Sequence, residues 1–368
     1  MRKNTVNTFF ALVRAGLWEQ EMNLDPFSPI DFISLYEMAD DQSVVGLIAA
    51  GLEHVEDVKI SKPMALPFLK KVFSLEGRNQ AMNEFIGETV KKMRDAGIYA
   101  LLVKGQGVAQ CYSRPQWRAA GDIDFFLDTE NYEKAKAFLC SFASSVDPEE
   151  KRKKHLAMTI DSWTVELHGL MPTEISERIN RGVAIVQQDI FEKGGVRAWN
   201  DNGVDVFLPN PDNDVIIIFT HFLQHFFVGG VGLRQIADWC RLLWTYRDEI
   251  DRPLLEKRLR EMGIMSEWRV FGYFAVSWLG MPEEAMPFYK ASSRLSRQAR
   301  RIWRIILDSG NLGHNKDQSY RHKYPKLIEK SITFWHRVGE FFRITMIFPW
   351  DGPRFFLTYV RRRTKAVL

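Results

Sequence analysis

The sequence predicts an α+β protein in which a small mixed β-sheet, an α/β core, is flanked by N-terminal and C-terminal helical regions. Apolar residues recur at helical spacing over residues 1–97. Over residues 98–209, short apolar runs bounded by Gly and Asp alternate with helical segments, which is typical of strands and helices in a mixed sheet. The helical pattern then returns and continues over residues 210–368. We therefore expect an N-terminal helical region, a central α/β core and a C-terminal helical domain.

The N-terminal region is predicted to be helical throughout. Apolar residues have helical spacing in VNTFFALVRAGLW, and SPIDFISLYEMAD opens on Ser-Pro with an Asp in its first turn. A longer amphipathic pattern, ALPFLKKVFSLEGRNQAMNEFIGETVKKMRDAG, ends at Gly97, a residue type that commonly caps a helix C-terminus.

The central region is predicted to hold most of the strands. IYALLVKG indicates a buried strand, QGVAQCYSR a short helix, and DIDFFLD a second strand. TENYEKAKAFLCSF is typical of a helix, which we expect Thr129 to cap. KHLAMTI and WTVELHG predict two more strands joined by a tight turn at 161–162, and this order favours helices on one face of the sheet. The segment after Gly169 is less regular, with short strands predicted at VRAWN and VDVFLP.

Composition and charge exclude some classes of protein. With 46% hydrophobic and 26% charged residues, the chain has the composition of a soluble globular protein. No apolar run reaches the roughly 18 residues of a membrane span. The three cysteines are far apart and lack metal-site spacing, which favours a reducing, cytoplasmic compartment.

The C-terminal part of the chain is basic. From residue 293 onward there are 17 Lys and Arg and 5 Asp and Glu, a net +12, so the first 292 residues contribute −8 to the total of +4. Such a segment is compatible with binding to a nucleic acid, an anionic lipid surface or an acidic partner. We favour the alternative, a solvated basic face on packed helices. A peripheral membrane contact through Phe355, Phe356 and residues 361–363 stays open.

Two aspartates inside an apolar strand are the first sign of a site. Because side chains alternate along a strand, Asp122 and Asp124 share one face and Ile123 takes the other. Two carboxylates about 5 Å apart repel by about 3 kcal/mol at an effective dielectric near 20. Exposure to water, a raised pKa or a divalent cation such as Mg²⁺ relieves that cost. Glu166 and His168 share a face of a later strand, so three carboxylates on neighbouring strands indicate a candidate two-metal site.

These motifs together resemble a known family. The stretch LLVKGQGVAQCYSRPQWRAAGDIDFFLD followed by VELHG is similar to the polymerase β-like nucleotidyltransferase superfamily, and within it to a bacterial branch of uncharacterised nucleotidyltransferases. The resemblance runs from about residue 8 to residue 245 and includes LPNPDNDVIIIFTHFLQHF and LRQIADW. The residues that carry it are Lys104, Gly105, Tyr112, Arg118, Asp122, Asp124, Glu166, Leu167 and His168.

The resemblance implies transfer of a nucleoside monophosphate from a nucleoside triphosphate, such as ATP, to an acceptor that the sequence does not identify. Asp122, Asp124 and Glu166 would hold Mg²⁺ or Mn²⁺, with Glu166 also helping to activate the acceptor hydroxyl. The residues implied to bind the nucleotide, as phosphate or substrate contacts, are Lys104, Gly105, Gln106, Arg118 and His168.

One position departs from the superfamily pattern. The glycine of its phosphate-binding motif is usually followed by Gly or Ser, whereas Gly105 is followed by Gln106. A catalytically silent nucleotidyltransferase-like module that binds a nucleotide or a partner is therefore the alternative hypothesis. A nucleic-acid-binding factor that uses the basic C-terminal region is the third, and we do not favour it.

Two pairs of polar residues on predicted helices complete the candidates. His221 and His225 are four apart, so they share a helix face, either as packing residues or as part of the site. Arg234 and Asp238 have the same spacing, and they either pair with each other or face the cleft.

Overall fold

The computed structural model describes residues 3–228, 230–311 and 326–365. The described chain is mixed α and β, as the sequence predicts, with one seven-stranded sheet. The helices are α1 (Lys3–Trp18), α2 (Phe32–Asp41), α3 (Val45–Leu52), α4 (Lys62–Asp95), α5 (Gly105–Ala109), α6 (Thr129–Cys140), α7 (Glu177–Lys193), α8 (Pro211–Val228), α9 (Leu233–Thr245), α10 (Arg252–Met262), α11 (Met265–Leu279), α12 (Ser293–Ser309), α13 (Lys326–Thr345) and α14 (Asp351–Lys365). The strands are β1 (Leu101–Val103), β2 (Ile123–Phe126), β3 (Ser145–Val146), β4 (His155–Ile160), β5 (Trp163–His168), β6 (Val196–Asp201) and β7 (Val204–Pro209).

The sheet has the strand order β3-β4-β5-β2-β1-β7-β6. β2 pairs in parallel with β5 and β1 pairs in parallel with β7, whereas the other neighbours are antiparallel, so the predicted mixed sheet is confirmed. The β2–β5 register places Asp124 opposite Glu166. Two acidic side chains that are 42 positions apart in the sequence therefore become neighbours at the centre of the sheet.

Helices cover both faces of the sheet, so the expectation of helices on one face is wrong. Leu102 and Phe125 point into an apolar cluster with α4 and α6. Leu101 and Phe126 point to the other side, into a larger cluster that includes α7 and α8. The physical reason is that β1 and β2 are short central strands whose residues are buried on both faces, and such strands need a cover on each side.

Helix α7 lies after Gly169, in a segment for which the sequence predicts no helix. Its start and end carry ordinary signals: the Ser176 side chain accepts a hydrogen bond from the Ile179 amide, and Gly194 has the left-handed conformation of a C-cap. The cap of α6 also differs from the expectation. Asp128, not Thr129, caps this helix, since the Asp128 carboxylate accepts a hydrogen bond from the Asn131 amide.

The basic C-terminal part begins with a packed amphipathic helix. The arginines of α12 are exposed, whereas Ile302, Trp303 and Ile306 are buried against the larger cluster. Phe355 is 7% exposed and packs edge to face on Phe227 at 4.5 Å between ring centroids, so this ring is not available for a membrane contact. The side chains of residues 361–363 lie outside the described residues. Within the described ranges, no helix combines the length and apolar character needed to cross a membrane.

Glu267 is an acidic residue inside the core. Its side chain is fully buried at the start of α11, where the Ser266 hydroxyl donates to it at 2.6 Å. Burial, with the nearby charge of Asp351 as a second cause, raises the pKa of Glu267 to about 8. Because the folded protein keeps a proton that the unfolded chain releases near pH 4.5, the free energy of unfolding falls as pH rises from about 4.5 towards 8.

We predict that Glu267→Gln removes this loss of stability. Relative to the variant, the wild type should lose at least about 1 kcal/mol of unfolding free energy across that pH window, the scale of one pKa unit. Urea denaturation at several pH values measures the difference, with the exposed Glu261→Gln on α10 as the matched control. Parallel pH profiles for wild type and Glu267→Gln would contradict the assignment.

Candidate active site

Three carboxylates converge where β2 lies beside β5. Asp122 precedes β2, Asp124 lies within it and Glu166 lies opposite Asp124 on β5. One oxygen from each of the three lies within 4.8 Å of the others. Their neighbours Ile123 and Val165 point to the opposite face of the sheet, into the cluster with α4 and α6. The alternation of the two strands thus brings all three predicted carboxylates together.

Asp124 is buried and is held ionised by Lys104 and His168. Lys104 Nζ and His168 Nε2 each lie 2.8 Å from Asp124 Oδ1. Burial by itself favours the neutral acid, but the Lys104 charge and the His168 contact outweigh it and hold the pKa of Asp124 below its usual value. The β1–β2 register accounts for the Lys104 contact, since Val103, the residue before Lys104, lies opposite Asp124.

Glu166 has two histidine neighbours. Its Oε2 lies 3.1 Å from His155 Nε2 and 3.4 Å from His168 Nε2. Burial raises the pKa of Glu166, but the hydrogen bonds with His155 and His168 lower it by more, so the carboxylate is ionised at neutral pH. The two histidines are directly opposite each other in the β4–β5 hairpin.

Asp122 differs from the other two carboxylates because it has no ion pair among the described residues. The charge of Asp124, then burial and the charge of Glu166, raise the pKa of Asp122 above its usual value. Its side chain is the most exposed of the three. A cation placed among these oxygens would therefore relieve the repulsion on Asp122.

The carboxylates form one wall of a cavity of about 310 Å³. This volume lies at the lower end of the range for sites that hold small molecules. Helices α8 and α9, the turn before β4 and the segment after β5 supply the rest of the lining. The lining residues include Lys104, Gly105, Arg118, Asp122, Asp124, Glu150, Lys153, His155, Glu166, His168, His221, Gln224, His225, Arg234 and Asp238.

Comparison with known proteins identifies the family. Residues 28–280, more than half of the chain, match the family described as uncharacterised nucleotidyltransferase. The chain belongs to this family. No curated protein and no solved structure matches the chain significantly.

The set of donors in this nucleotidyltransferase-family site fits a hard divalent cation. Mg²⁺ takes oxygen ligands, commonly one or two carboxylates together with water and substrate phosphates. Asp122, Asp124 and Glu166 offer such oxygens at mutual distances that one ion or a close pair of ions can bridge. The raised pKa of Asp122 is consistent with an excess of negative charge at this wall.

Arg118 is placed in the site but is already paired. It donates from Nε and from a terminal nitrogen to the two oxygens of Asp238, each at 2.7 Å, and Tyr112 donates its hydroxyl proton to Asp238 at 2.8 Å. Both members of the ion pair are buried. Asp238 therefore offsets the charge that was predicted to neutralise phosphate. Pairing of Asp238 with Arg234, one of the two sequence-based hypotheses, does not occur.

Arg234 is the cation of the cavity that lacks a partner acid. The side chain is partly buried and donates to the Ala119 carbonyl oxygen, while its buried Nε has no hydrogen-bond partner. No carboxylate of the described chain lies within ion-pair distance of it. Burial, then the charge of Arg118, lowers the pKa of Arg234 from its usual value. Helix α9 thus contributes to the cavity lining a positive charge that has no ion-pair partner.

His221 and His225 both line the cavity from α8, which supports the site-lining hypothesis for this pair. Burial, followed by the positive charge of Lys104, lowers the pKa of His221 far below its usual value. The same two causes lower the pKa of His225 to about 4. Both rings are therefore neutral at pH 7, and they add polar surface to this wall without adding charge.

Gln106 is the predicted residue whose side chain is turned away from the cavity. The side chain is buried against α4, where its Nε2 donates to Asn83 Oδ1 at 2.8 Å. Gly105, by contrast, lines the cavity with a φ of +38°. A Cβ on Gly105 would have room, since its nearest contact is the Asp122 carbonyl at 3.5 Å, so the backbone conformation is what favours glycine here.

His155 is the site residue that the sequence analysis missed. The two-residue turn between β4 and β5 pairs Ile160 with Trp163, and this register places His155 opposite His168. The tight turn predicted at residues 161–162 was therefore a sufficient signal to locate His155 at the site.

We predict that Asp238→Asn lowers the free energy of unfolding by about 3–5 kcal/mol, because it leaves the Arg118 guanidinium buried without its counter-charge. Glu53→Gln is the matched control, since Glu53 makes an exposed ion pair with Arg114 at 2.9 Å, worth at most about 1 kcal/mol. Urea denaturation measures both. Equal losses of unfolding free energy in the two variants would show that the buried Arg118–Asp238 pair contributes no more to stability than the exposed pair.

Proposed function

We propose that this chain is a Mg²⁺-dependent nucleotidyltransferase that moves a nucleoside monophosphate from a nucleoside triphosphate to a hydroxyl or phosphate acceptor. The observation that carries the proposal is the convergence of Asp122, Asp124 and Glu166 within 4.8 Å at one wall of a cavity. Family membership supports nucleotidyl transfer in general. When bound, divalent cations stabilise the negative charge that develops on the transferred phosphoryl group.

The protein's own residues account for binding of the triphosphate. The Asp122, Asp124 and Glu166 carboxylates would hold the cations, while Arg234, a cation without an ion-pair partner that lines the same cavity, would contact phosphate oxygens. Lys104 keeps Asp124 ionised and lies at the edge of the same space. In the transfer, a hydroxyl acceptor gives up its proton to solvent as its oxygen forms a bond to the α-phosphorus. The bond from the α-phosphorus to the oxygen that bridges to the β-phosphate breaks, and pyrophosphate leaves.

We predict that Asp122→Asn and Asp124→Asn each lower transfer by more than about 100-fold. Groups that merely position metal ligands contribute about 10–100-fold, so loss of a direct ligand should exceed that range. The assay measures pyrophosphate release from each of the four nucleoside triphosphates with Mg²⁺, using cell extract as the source of acceptor. Chelation of Mg²⁺ should stop the release.

Asp161→Asn is the matched control, because Asp161 is an exposed residue in the turn between β4 and β5. It should leave the rate unchanged. Unchanged pyrophosphate release by either site variant would overturn the proposal. Tight binding of Mg²⁺-nucleotide with no pyrophosphate release, in wild type and variants alike, would favour the catalytically silent module.

Arg234→Gln tests the triphosphate contact. Charged hydrogen bonds contribute about 1.5–3 kcal/mol, so affinity for the best-bound triphosphate should fall by about 10–100-fold. The affinity for the matching nucleoside should stay the same, because it carries no phosphate. Stability should not fall, since the substitution removes a partly buried charge that has no ion-pair partner and whose desolvation is unfavourable. Equal losses for nucleoside and triphosphate in calorimetry would contradict the assignment.

A further inference from the structure

A second group of ligands lies beside the three carboxylates and differs from them in chemistry. His155, His168 and Glu166 present two imidazole nitrogens and one carboxylate oxygen within 4.8 Å of one another. Both histidines direct Nε2 at the same oxygen, Glu166 Oε2. The two rings come from adjacent antiparallel strands, which hold them opposite each other on one face of the sheet.

The distances fit coordination by a small ion. Transition metals bind histidine nitrogen and carboxylate oxygen at about 2.0–2.2 Å, which places neighbouring tetrahedral ligands roughly 3.4 Å apart. The separations from Glu166 Oε2 to His155 Nε2 and to His168 Nε2 are 3.1 and 3.4 Å. The nitrogens thus need no large rearrangement to share an ion with that oxygen.

The surroundings of His155 supply an independent observation. A histidine that binds a metal usually directs its other ring nitrogen at a carboxylate or carbonyl. His155 Nδ1 lies 3.7 Å from Glu150 Oε1, slightly beyond hydrogen-bond distance, while its Nε2 faces Glu166. Glu150, His155, Glu166 and His168 all line the cavity. An ion held here would therefore keep a coordination position open to water or substrate.

We propose that His155, His168 and Glu166 bind a divalent transition-metal ion of the zinc class. Mg²⁺ takes oxygen ligands, whereas imidazole suits zinc and its neighbours, and two histidines with one glutamate form a known catalytic zinc ligand set. The site therefore has an oxygen half, at Asp122 and Asp124, and a nitrogen half that shares Glu166 with it. This inference goes beyond the proposed transfer reaction, because it concerns metal selectivity and needs no nucleotide.

His168 makes one contact that the ion must replace. Its Nε2 also lies 2.8 Å from Asp124 Oδ1, which Lys104 binds as well. Metal binding at Nε2 would exchange this contact for coordination, and Lys104 would remain to offset the charge of Asp124. The competing description is a hydrogen-bonded cluster in which the two histidines only hold Glu166 in place, and the experiment separates the two.

Metal-free wild-type protein is titrated with Zn²⁺ by calorimetry and with Co²⁺ by visible absorption, without nucleotide. We expect one equivalent of Zn²⁺ and visible bands from bound Co²⁺. His155→Gln should lower Zn²⁺ affinity by more than about 100-fold, beyond the effect of a positioning group. Asp122→Asn, in the oxygen half, should retain the affinity, and His54→Gln, a histidine outside the site, should match the wild type.

Three outcomes would overturn the proposal: no Zn²⁺ binding by the wild type, equal weakening by His54→Gln and His155→Gln, or loss of Zn²⁺ binding in Asp122→Asn. If His155→Gln does not fold, side-chain ¹⁵N spectra of the wild type decide the question, because Zn²⁺ should shift the signals of two histidines and of none in the hydrogen-bonded cluster. A failure here leaves the Mg²⁺-dependent transfer assay unaffected, and failure of transfer leaves the Zn²⁺ titration interpretable.

Discussion

The parallel pairing of β2 with β5 is the constraint on which the site depends. It fixes Asp124 opposite Glu166 on neighbouring strands, which lie about 4.8 Å apart. At that distance two carboxylates repel by about 3 kcal/mol at an effective dielectric near 20. The fold offsets this cost with Lys104 at the end of β1 and with His155 and His168 on the β4–β5 hairpin. The positions of two further strands, β1 and β4, are thereby linked to the charge of Asp124 and Glu166.

Two charged groups that line the cavity have no ion pair among the residues described. Asp122 is repelled by the charge of Asp124, which raises its pKa, and Arg234 is a partly buried cation. The repulsion disfavours the charged form of Asp122, and desolvation disfavours that of Arg234. A ligand that brings a cation to Asp122 and an anion to Arg234 would offset both. A metal-bound polyphosphate has that distribution of charge, whereas an uncharged ligand does not.

Strand alternation, hairpin register and helical spacing are local features of the sequence, and they predict most of this site. They do not reveal contacts between segments that are distant in the sequence. Strand alternation placed the carboxylates on one face, and the register of the β4–β5 hairpin was available to place His155 opposite His168. The partner of Asp238 could not be found in this way. Helical spacing offers Arg234 as its neighbour, but Arg118, 120 positions away, makes the bidentate pair. A contact between distant segments forms here because two parallel charged hydrogen bonds are stronger than a single i,i+4 contact.

The role of Gln106, the position at which the chain departs from the superfamily pattern, also depends on contacts with a distant segment. Its partners Asn79 and Asn83 belong to α4, which a local pattern around the glycine motif cannot reveal. Lys104 and Gly105 both have positive φ, at +57° and +38°, and for a lysine such a conformation costs about 1–3 kcal/mol. The Gln106 contacts with α4 anchor the residue that follows this turn and so help to keep Lys104 Nζ at Asp124. The residue that departs from the pattern, Gln106, therefore packs against α4 on the side of the turn away from the cavity. Gly105 still lines the cavity.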